Sequence, residues 1–251
     1  MTVRRRIDQQ PAYILHHRPF RDTSQILDVL SREHGKLAIV ARGSRGPRSR
    51  LKGVLRPFMP LNLSWAVGGS DLGTLTGAEV RGAPLKLVGE ELFAGYYVNE
   101  LLLFFLHRHD PQPAIFDTYG ETLRALAAAE HVAPTLRQFE IGLLRELGYA
   151  LELERDALDH EPLVPDQDYE YRVERGAVPV EQREGRMVFS GRTLTAIAAQ
   201  EFGDAGTLRA AGRLLREVIA YHLGGKELRS RKVLRELRRG KIADSDGGGT
   251  V

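Results

Sequence analysis

One change of pattern governs what this chain can fold into. Up to Pro84 the apolar residues come in short runs that alternate with polar ones. Beyond Pro84 they recur at helical spacing. The first part reads as five strands, over residues 12–17, 25–31, 36–41, 58–65 and 72–80. Gly and Pro turns join them, with Pro11 and Pro19 bounding the first and Gly68-Gly69-Ser70-Asp71 preceding the last. Five short strands so joined predict a small barrel or sandwich. The link between the third and fourth, residues 42–57, is long and rich in Arg, Gly and Ser.

The second part predicts helices over residues 90–107, 115–129, 134–147, 193–201 and 207–223, and a short one over 230–239. In the first of these, Leu92, Tyr96, Asn99, Leu103 and Leu106 define a face. Pro134 suits the start of a helix and Gly148 the end of one. Residues 152–192 interrupt the series. They are acidic, contain Pro162 and Pro165, and offer a possible pairing of residues 169–173 with 187–189. The expected organisation is a β-domain at 1–83, a helical domain at 84–241 with an irregular insertion at about 152–192, and a flexible tail at 242–251.

Charge is distributed unevenly. The net charge of +3 over 251 residues conceals +8 in residues 1–83, −9 in 84–225, +6 in 226–241 and −2 beyond. Two basic regions flanking an acidic middle point to a polyanionic partner for part of the chain. There are no cysteines, which removes disulfides, thiolate metal sites and cysteine nucleophiles. The N-terminus is basic without an apolar stretch behind it, so it does not read as a signal peptide. The apolar run at 101–106 is too short to span a bilayer. A cytoplasmic location without membrane contact is expected.

The sharpest constellation lies at residues 41–52, which carry Arg42, Arg45, Arg48, Arg50 and Lys52 and no acid. Gly and Ser in such a loop let the backbone approach a phosphate, and Arg forks two N–H groups onto its oxygens. Arg18 and Lys36 are expected neighbours. A loop of this kind on a small barrel reads either as a nucleic-acid surface or as a solvated, disordered loop, and an acid-free run inside a compact β-domain favours the first. A second basic stretch holds Lys226, Arg229, Arg231 and Lys232. It reads either as a helix end followed by a solvated basic helix or as a second DNA contact. It is not a Walker motif, because Ala220 stands where the first Gly belongs and no Ser or Thr follows Lys226. Phe20, Phe58 and Trp65 are either barrel core or base-stacking platforms. His107-Arg108-His109-Asp110 looks like a metal fragment but reads as surface residues at a helix end. In the helical part, Arg124, Arg137, Arg213 and Arg216, with Phe139, stand either on solvated amphipathic faces or on the rim of a groove for an acidic, aromatic-tipped peptide. No catalytic motif occurs, so no enzyme activity and no cofactor or metal are expected.

The segments taken in order resemble the RecO family of bacterial recombinational repair proteins. They are Ala12-Tyr13-Ile14-Leu15, Arg18-Pro19-Phe20-Arg21-Asp22-Thr23-Ser24, Gly35-Lys36-Leu37, Ala41-Arg42-Gly43-Ser44-Arg45 and Leu55-Arg56-Pro57-Phe58. The helical part adds Tyr97-Val98-Asn99-Glu100-Leu101-Leu102, Leu136-Arg137-Gln138-Phe139-Glu140, Leu147-Gly148-Tyr149 and the run from Tyr221 to Arg231. The resemblance covers nearly the whole chain. It implies an α+β protein: an N-terminal five-stranded OB-fold barrel followed by an all-helical C-terminal domain with an irregular insertion. It further implies binding to single- and double-stranded DNA, annealing of complementary strands, and help in loading RecA onto strands coated by single-strand-binding protein. The implied partners are RecR and the acidic C-terminal tail of single-strand-binding protein, with RecA served indirectly. That tail would suit the Arg-rimmed groove.

The chain departs from many members of that family in one respect. They carry a four-cysteine zinc module after the Leu-Gly-Tyr segment, whereas residues 153–187 here contain no cysteine. Asp156, Asp159 and His160 do not make a tetrahedral zinc set, so packing is expected to hold the insertion. Two other readings stay open at this level. One is an RNA-binding barrel protein, since such sheets accept either polymer. The other is a metal-dependent nuclease, which would need a carboxylate cluster.

Overall fold

The computed structural model describes residues 5–68, 71–128, 131–181, 185 and 187–233. The fold is α+β. Its first five strands are β1 (Arg5–Phe20), β2 (Ser24–Ser31), β3 (Gly35–Ala41), β4 (Leu61–Val67) and β5 (Leu72–Val80). They close a barrel in the order β1-β2-β3-β5-β4, with β3 and β5 parallel. This is an OB-like barrel.

Closure depends on β1, which runs straight through both of its prolines instead of stopping at them. Its first half pairs with β4 over Arg5–Ala12 and its second half with β2 over Ala12–Phe20. Bulges between Ile7 and Gln10 and between Ile14 and His16 bend it from one neighbour to the other. Pro11 sits at that handover, and its carbonyl accepts from the Arg32 N–H at 3.1 Å. Pro19 lies where the β4 edge is no longer paired, so its missing N–H costs no ladder bond. The fourth strand begins later than its apolar pattern suggested. Phe58, in a left-handed backbone conformation, and Met59 are spent on packing before Leu61 enters the sheet.

Alternation along the strands divides two faces. Ala12, Ile14, Leu27, Val29, Leu37, Ile39, Leu61, Leu63 and Trp65 fill the barrel. Tyr13 and Leu15 point outward and are nonetheless buried, at 2% exposure each. They meet α1 (Gly89–Phe105) and α2 (Pro113–Ala127). The Tyr13 ring lies edge-on to Tyr119 at 5.0 Å and is tilted against Phe116 at 5.2 Å. Asn99 on α1 donates to the Leu15 carbonyl at 2.8 Å and accepts from the Tyr119 hydroxyl at 2.6 Å, so this buried polar side chain is used at both ends. The face expected for α1 is only partly the one it buries, through Asn99 and Leu106. Ala94, Gly95, Tyr97, Val98, Asn99, Leu101 and Leu102 are buried, whereas Tyr96 stands exposed. The helix is apolar nearly all round, so spacing alone did not choose its face.

By packing, the chain forms two compact units. One holds the barrel, α1, α2 and the segment that begins at Leu228. The other runs from His131 to Glu227. The sequence placed the division at Pro84, where the periodicity changes. The packing division falls after α2, because β1 needs those helices over its outward apolar side chains.

The second unit contains α3 (Val132–Glu146), α4 (Gly191–Ala198), α5 (Ala205–His222) and a small antiparallel sheet. Pro134 lies in the first turn of α3 rather than opening it, and no intrahelical bond is lost because those first N–H groups have no partner within the helix. Gly148 follows α3 in a left-handed conformation. The sheet, β7-β6-β8, occupies the insertion: β6 (Asp168–Arg172) pairs with β8 (Val188–Ser190) as the sequence suggested, and also with β7 (Gly176–Pro179), which the sequence did not suggest. Tyr169, Tyr171, Ala177, Val178, Val188 and Phe189 are buried there together with Leu153 and Leu163. Asp156, Asp159 and His160 share a tight turn. The two carboxylates accept the backbone N–H groups of Leu158 and Glu161, at 2.7 and 3.1 Å. The residues do not fit a metal; apolar packing and turn hydrogen bonds occupy the insertion. Among the described residues no group of three or more His, Asp or Glu is placed to hold one.

Candidate nucleic-acid interface

The basic link after β3 is not a loose excursion. It is a chain of successive turns: Gly46 N–H donates to Gly43 O, Ser49 to Gly46, Lys52 to Ser49, and Val54 and Leu55 both to Leu51. Ser44 is buried and its hydroxyl donates back to Ala41 O at 2.8 Å. Leu51, Val54 and Leu55 pack onto the barrel core. With the apolar residues turned inward, Arg42, Arg45, Arg48, Arg50, Lys52 and Arg56 are all left exposed. From His34 to Ser70 the sequence contains no acid, and no ion pair to these six cations occurs among the described residues. The result is a fixed surface of positive charge whose guanidinium groups are not already engaged by carboxylates.

The loop is joined to the β1–β2 turn. Arg45 N–H donates to Thr23 O at 2.8 Å and its guanidinium reaches Arg21 O at 3.5 Å, while Gly43 N–H donates to the Ser24 hydroxyl at 3.4 Å. Arg21 is exposed and therefore belongs to the same surface. Sequence reading did not single it out, although it stands in the segment that carried the family resemblance. Arg56 was missed in the same way, and the acid-free run reaching past it was the available signal.

Two of the expected neighbours are already engaged. Arg18 pairs with Asp28 at 3.3 Å while staying half exposed. Lys36 donates to the Leu103 carbonyl at 2.6 Å, in the last turn of α1. Burial, followed by the nearby Arg108 charge, lowers the Lys36 ammonium below its ordinary range. Lys36 thus supplies the cation that α1 lacks in its own last turn.

The second basic stretch divides between the units. Lys226 belongs to the second unit, whereas Arg229, Arg231 and Lys232 belong to the unit that holds the barrel. Residues 229–233 are helical, and the rest of the expected helix and the tail lie outside the described residues. Glu100 of α1 holds this segment: its carboxylate accepts the N–H groups of Arg229 and Ser230, at 2.9 Å each, and the Ser230 hydroxyl. Arg231 donates to the Tyr97 hydroxyl at 2.6 Å and lies over that ring at 5.1 Å. Neither Glu100 nor Tyr97 was legible as an anchor in the sequence. Arg229 and Lys232 remain exposed.

The residues expected to rim a peptide groove divide between the units. Arg124 is exposed on α2 of the first unit. In the second unit Phe139 is core, at 1% exposure. Arg137 pairs with the fully buried Glu140 at 2.9 Å, and the lack of a side chain at Gly212 on α5 makes room for its guanidinium. Arg213 donates to Val188 O at 3.2 Å and lies over the Phe189 ring at 4.5 Å. Arg216 is exposed on α5.

The described residues thus form an OB-like barrel with an ordered, acid-free cationic loop, followed by a helical region. The comparisons with known proteins give the family. Residues 6–83 match the family model "Recombination protein O N terminal" and residues 88–232 match "Recombination protein O C terminal". The chain is 44% identical over 239 residues to the DNA repair protein RecO of Aromatoleum aromaticum, covering 95% of this chain and 99% of that one. Against the DNA repair protein RecO of Azoarcus sp. it is 44% identical over 241 residues, with 94% and 99% covered. The counterpart from Dechloromonas aromatica gives 44% over 242 residues, with 95% and 99% covered. The chain belongs to the RecO family of DNA repair proteins, which are recombination mediators and not enzymes.

Proposed function

We propose that this chain binds single- and double-stranded DNA through the basic surface of its barrel and anneals complementary strands without nucleotide or metal. With RecR it would help load RecA onto strands coated by single-strand-binding protein. The observation that carries the reading is the loop over residues 42–56, whose cations are exposed, unopposed by acids and fixed by backbone turns on the barrel. Such a surface offsets phosphate repulsion between two strands and gains affinity from counterion release. Arg229, Arg231 and Lys232, held by α1, extend the same function, and Arg18 is assigned a supporting part. Capture of the acidic tail of single-strand-binding protein is assigned to the helical region. Arg137, Arg213 and Arg216 would supply the charge over the core containing Phe139. A cytoplasmic, nucleoid-associated location fits this role, and no helix among the described residues is long and apolar enough to cross a membrane.

The test replaces Arg42, Arg45, Arg48 and Arg50 together with Ala. Affinity for single strands and duplexes is expected to fall, and the slope of log K against log salt to become shallower by about 3, at roughly 0.7–0.9 per lost phosphate contact. An unchanged affinity and slope would overturn the assignment. A strong preference for RNA over DNA of the same sequence would favour an RNA-binding role instead.

A further inference from the structure

We infer that Phe20 is a base-stacking residue that gives the barrel surface extra affinity for unpaired strands; this rests on the DNA-binding reading of the adjacent loop. Phosphate contacts alone do not favour a single strand over a duplex, because the duplex carries the denser phosphate charge. A flat aromatic face does distinguish them, since only an unpaired base can leave its neighbours and stack on it.

The barrel strands and the link between them carry four Phe, Tyr or Trp residues: Tyr13, Phe20, Phe58 and Trp65. Three are committed to packing. Tyr13 is buried against Phe116 and Tyr119, Phe58 lies edge-on to Tyr96, and Trp65 is core at 1% exposure with His34 edge-on to it. Phe20 alone is left partly exposed. It closes the β1–β2 ladder opposite Ser24, at the turn to which the cationic loop is hydrogen-bonded. A large apolar ring at that place is not explained by the core.

The turn itself is shaped around the ring. Arg21 adopts a left-handed conformation (φ 54°), uncommon for a residue with a side chain, and its guanidinium lies 5.2 Å from the Phe20 centroid. The planar cation and the ring form an amphipathic platform on which a base can stack while its phosphate meets Arg21 or Arg45.

The experiment compares Phe20→Ala, Phe20→Leu and Phe20→Tyr in the full chain. Binding is measured to an oligo-dT strand and to a blunt duplex of the same length, at several salt concentrations. Phe20→Ala and Phe20→Leu are expected to weaken oligo-dT binding by about tenfold or more, with an unchanged salt slope and unchanged duplex affinity. Phe20→Tyr keeps the ring and is expected to retain wild-type behaviour. Phe20→Leu retains apolar volume, so its loss separates stacking from packing. Equal losses on both polymers, or no loss on oligo-dT, would overturn the inference. The four-arginine variant separates this outcome from failure of the underlying reading: if the loop dependence is intact and Phe20 has no effect, only the stacking role falls.

Discussion

At the scale of single residues, the barrel's behaviour with pH follows from its histidines. His34 lies edge-on to Trp65 at 5.2 Å and lines a shallow depression with Ile7 and His109. Burial, then the Arg5 charge, lowers its imidazole below the ordinary value of 6.5, and His109 acts in the same direction against the opposing pull of Glu33. His17 is lowered by burial and by His16. A histidine with a lowered folded pKa binds its proton more readily when unfolded. Its contribution is therefore fully present above 6.5 and is lost as the pH falls from there through the folded value. The thermal midpoint is expected to drop between pH 7.5 and pH 5.5, and His34→Gln to narrow that drop. A variant showing the same pH difference as the parent would remove His34 from the account.

At the scale of elements, the C-terminal basic segment depends on α1. Glu100 receives three donors from Arg229 and Ser230, and hydrogen bonds to a charged acceptor are worth about 1.5–3 kcal/mol each where they are well shielded. Glu100→Ala is expected to raise hydrogen exchange at the Arg229 and Ser230 amides by roughly tenfold or more. Amides in the barrel strands should not respond. Unchanged exchange at those two positions would mean that packing of Leu228, buried at 3% exposure, holds the segment without the carboxylate. The same scale shows what the pattern could and could not tell. Alternation located all five barrel strands, because one face of each meets a common core. It misplaced the ends of β1, because a proline reads as a stop unless one knows which edge is unpaired. It also missed β7, whose short Gly-Ala-Val-Pro run carries no alternation long enough to detect.

At the scale of the whole molecule, the change of periodicity at Pro84 and the boundary of packing do not coincide. Tyr13 and Leu15 face away from the barrel interior and are covered by α1 and α2. Burying each such side chain contributes about 1.5–3 kcal/mol. Residues 1–83 alone would expose that outward face, whereas residues 1–128 keep it covered. The longer fragment is expected to melt cooperatively and the shorter one to melt earlier or aggregate. Calorimetry of both decides it, and equal midpoints would restore Pro84 as the folding boundary.

Much of the candidate site was legible before the fold. The acid-free run of Arg42, Arg45, Arg48, Arg50 and Lys52 is a property of composition and order alone, and exposure of those side chains follows from their charge. Their rigidity could not be read in the same way. It arises because Leu51, Val54 and Leu55 find the barrel core, a contact set by closure of the sheet. The sequence by itself determined the class of fold, the family and the sign of the charge on each stretch, since periodicity, ordered segments and ionisation are local. Only the tertiary structure decided that Lys36 serves α1, that Phe139 is core, that Glu100 holds the C-terminal segment and that Phe20 is left beside the cationic loop. Each of those depends on residues distant in the chain competing for the same space, and burial and hydrogen bonding settle that competition only once the barrel has closed.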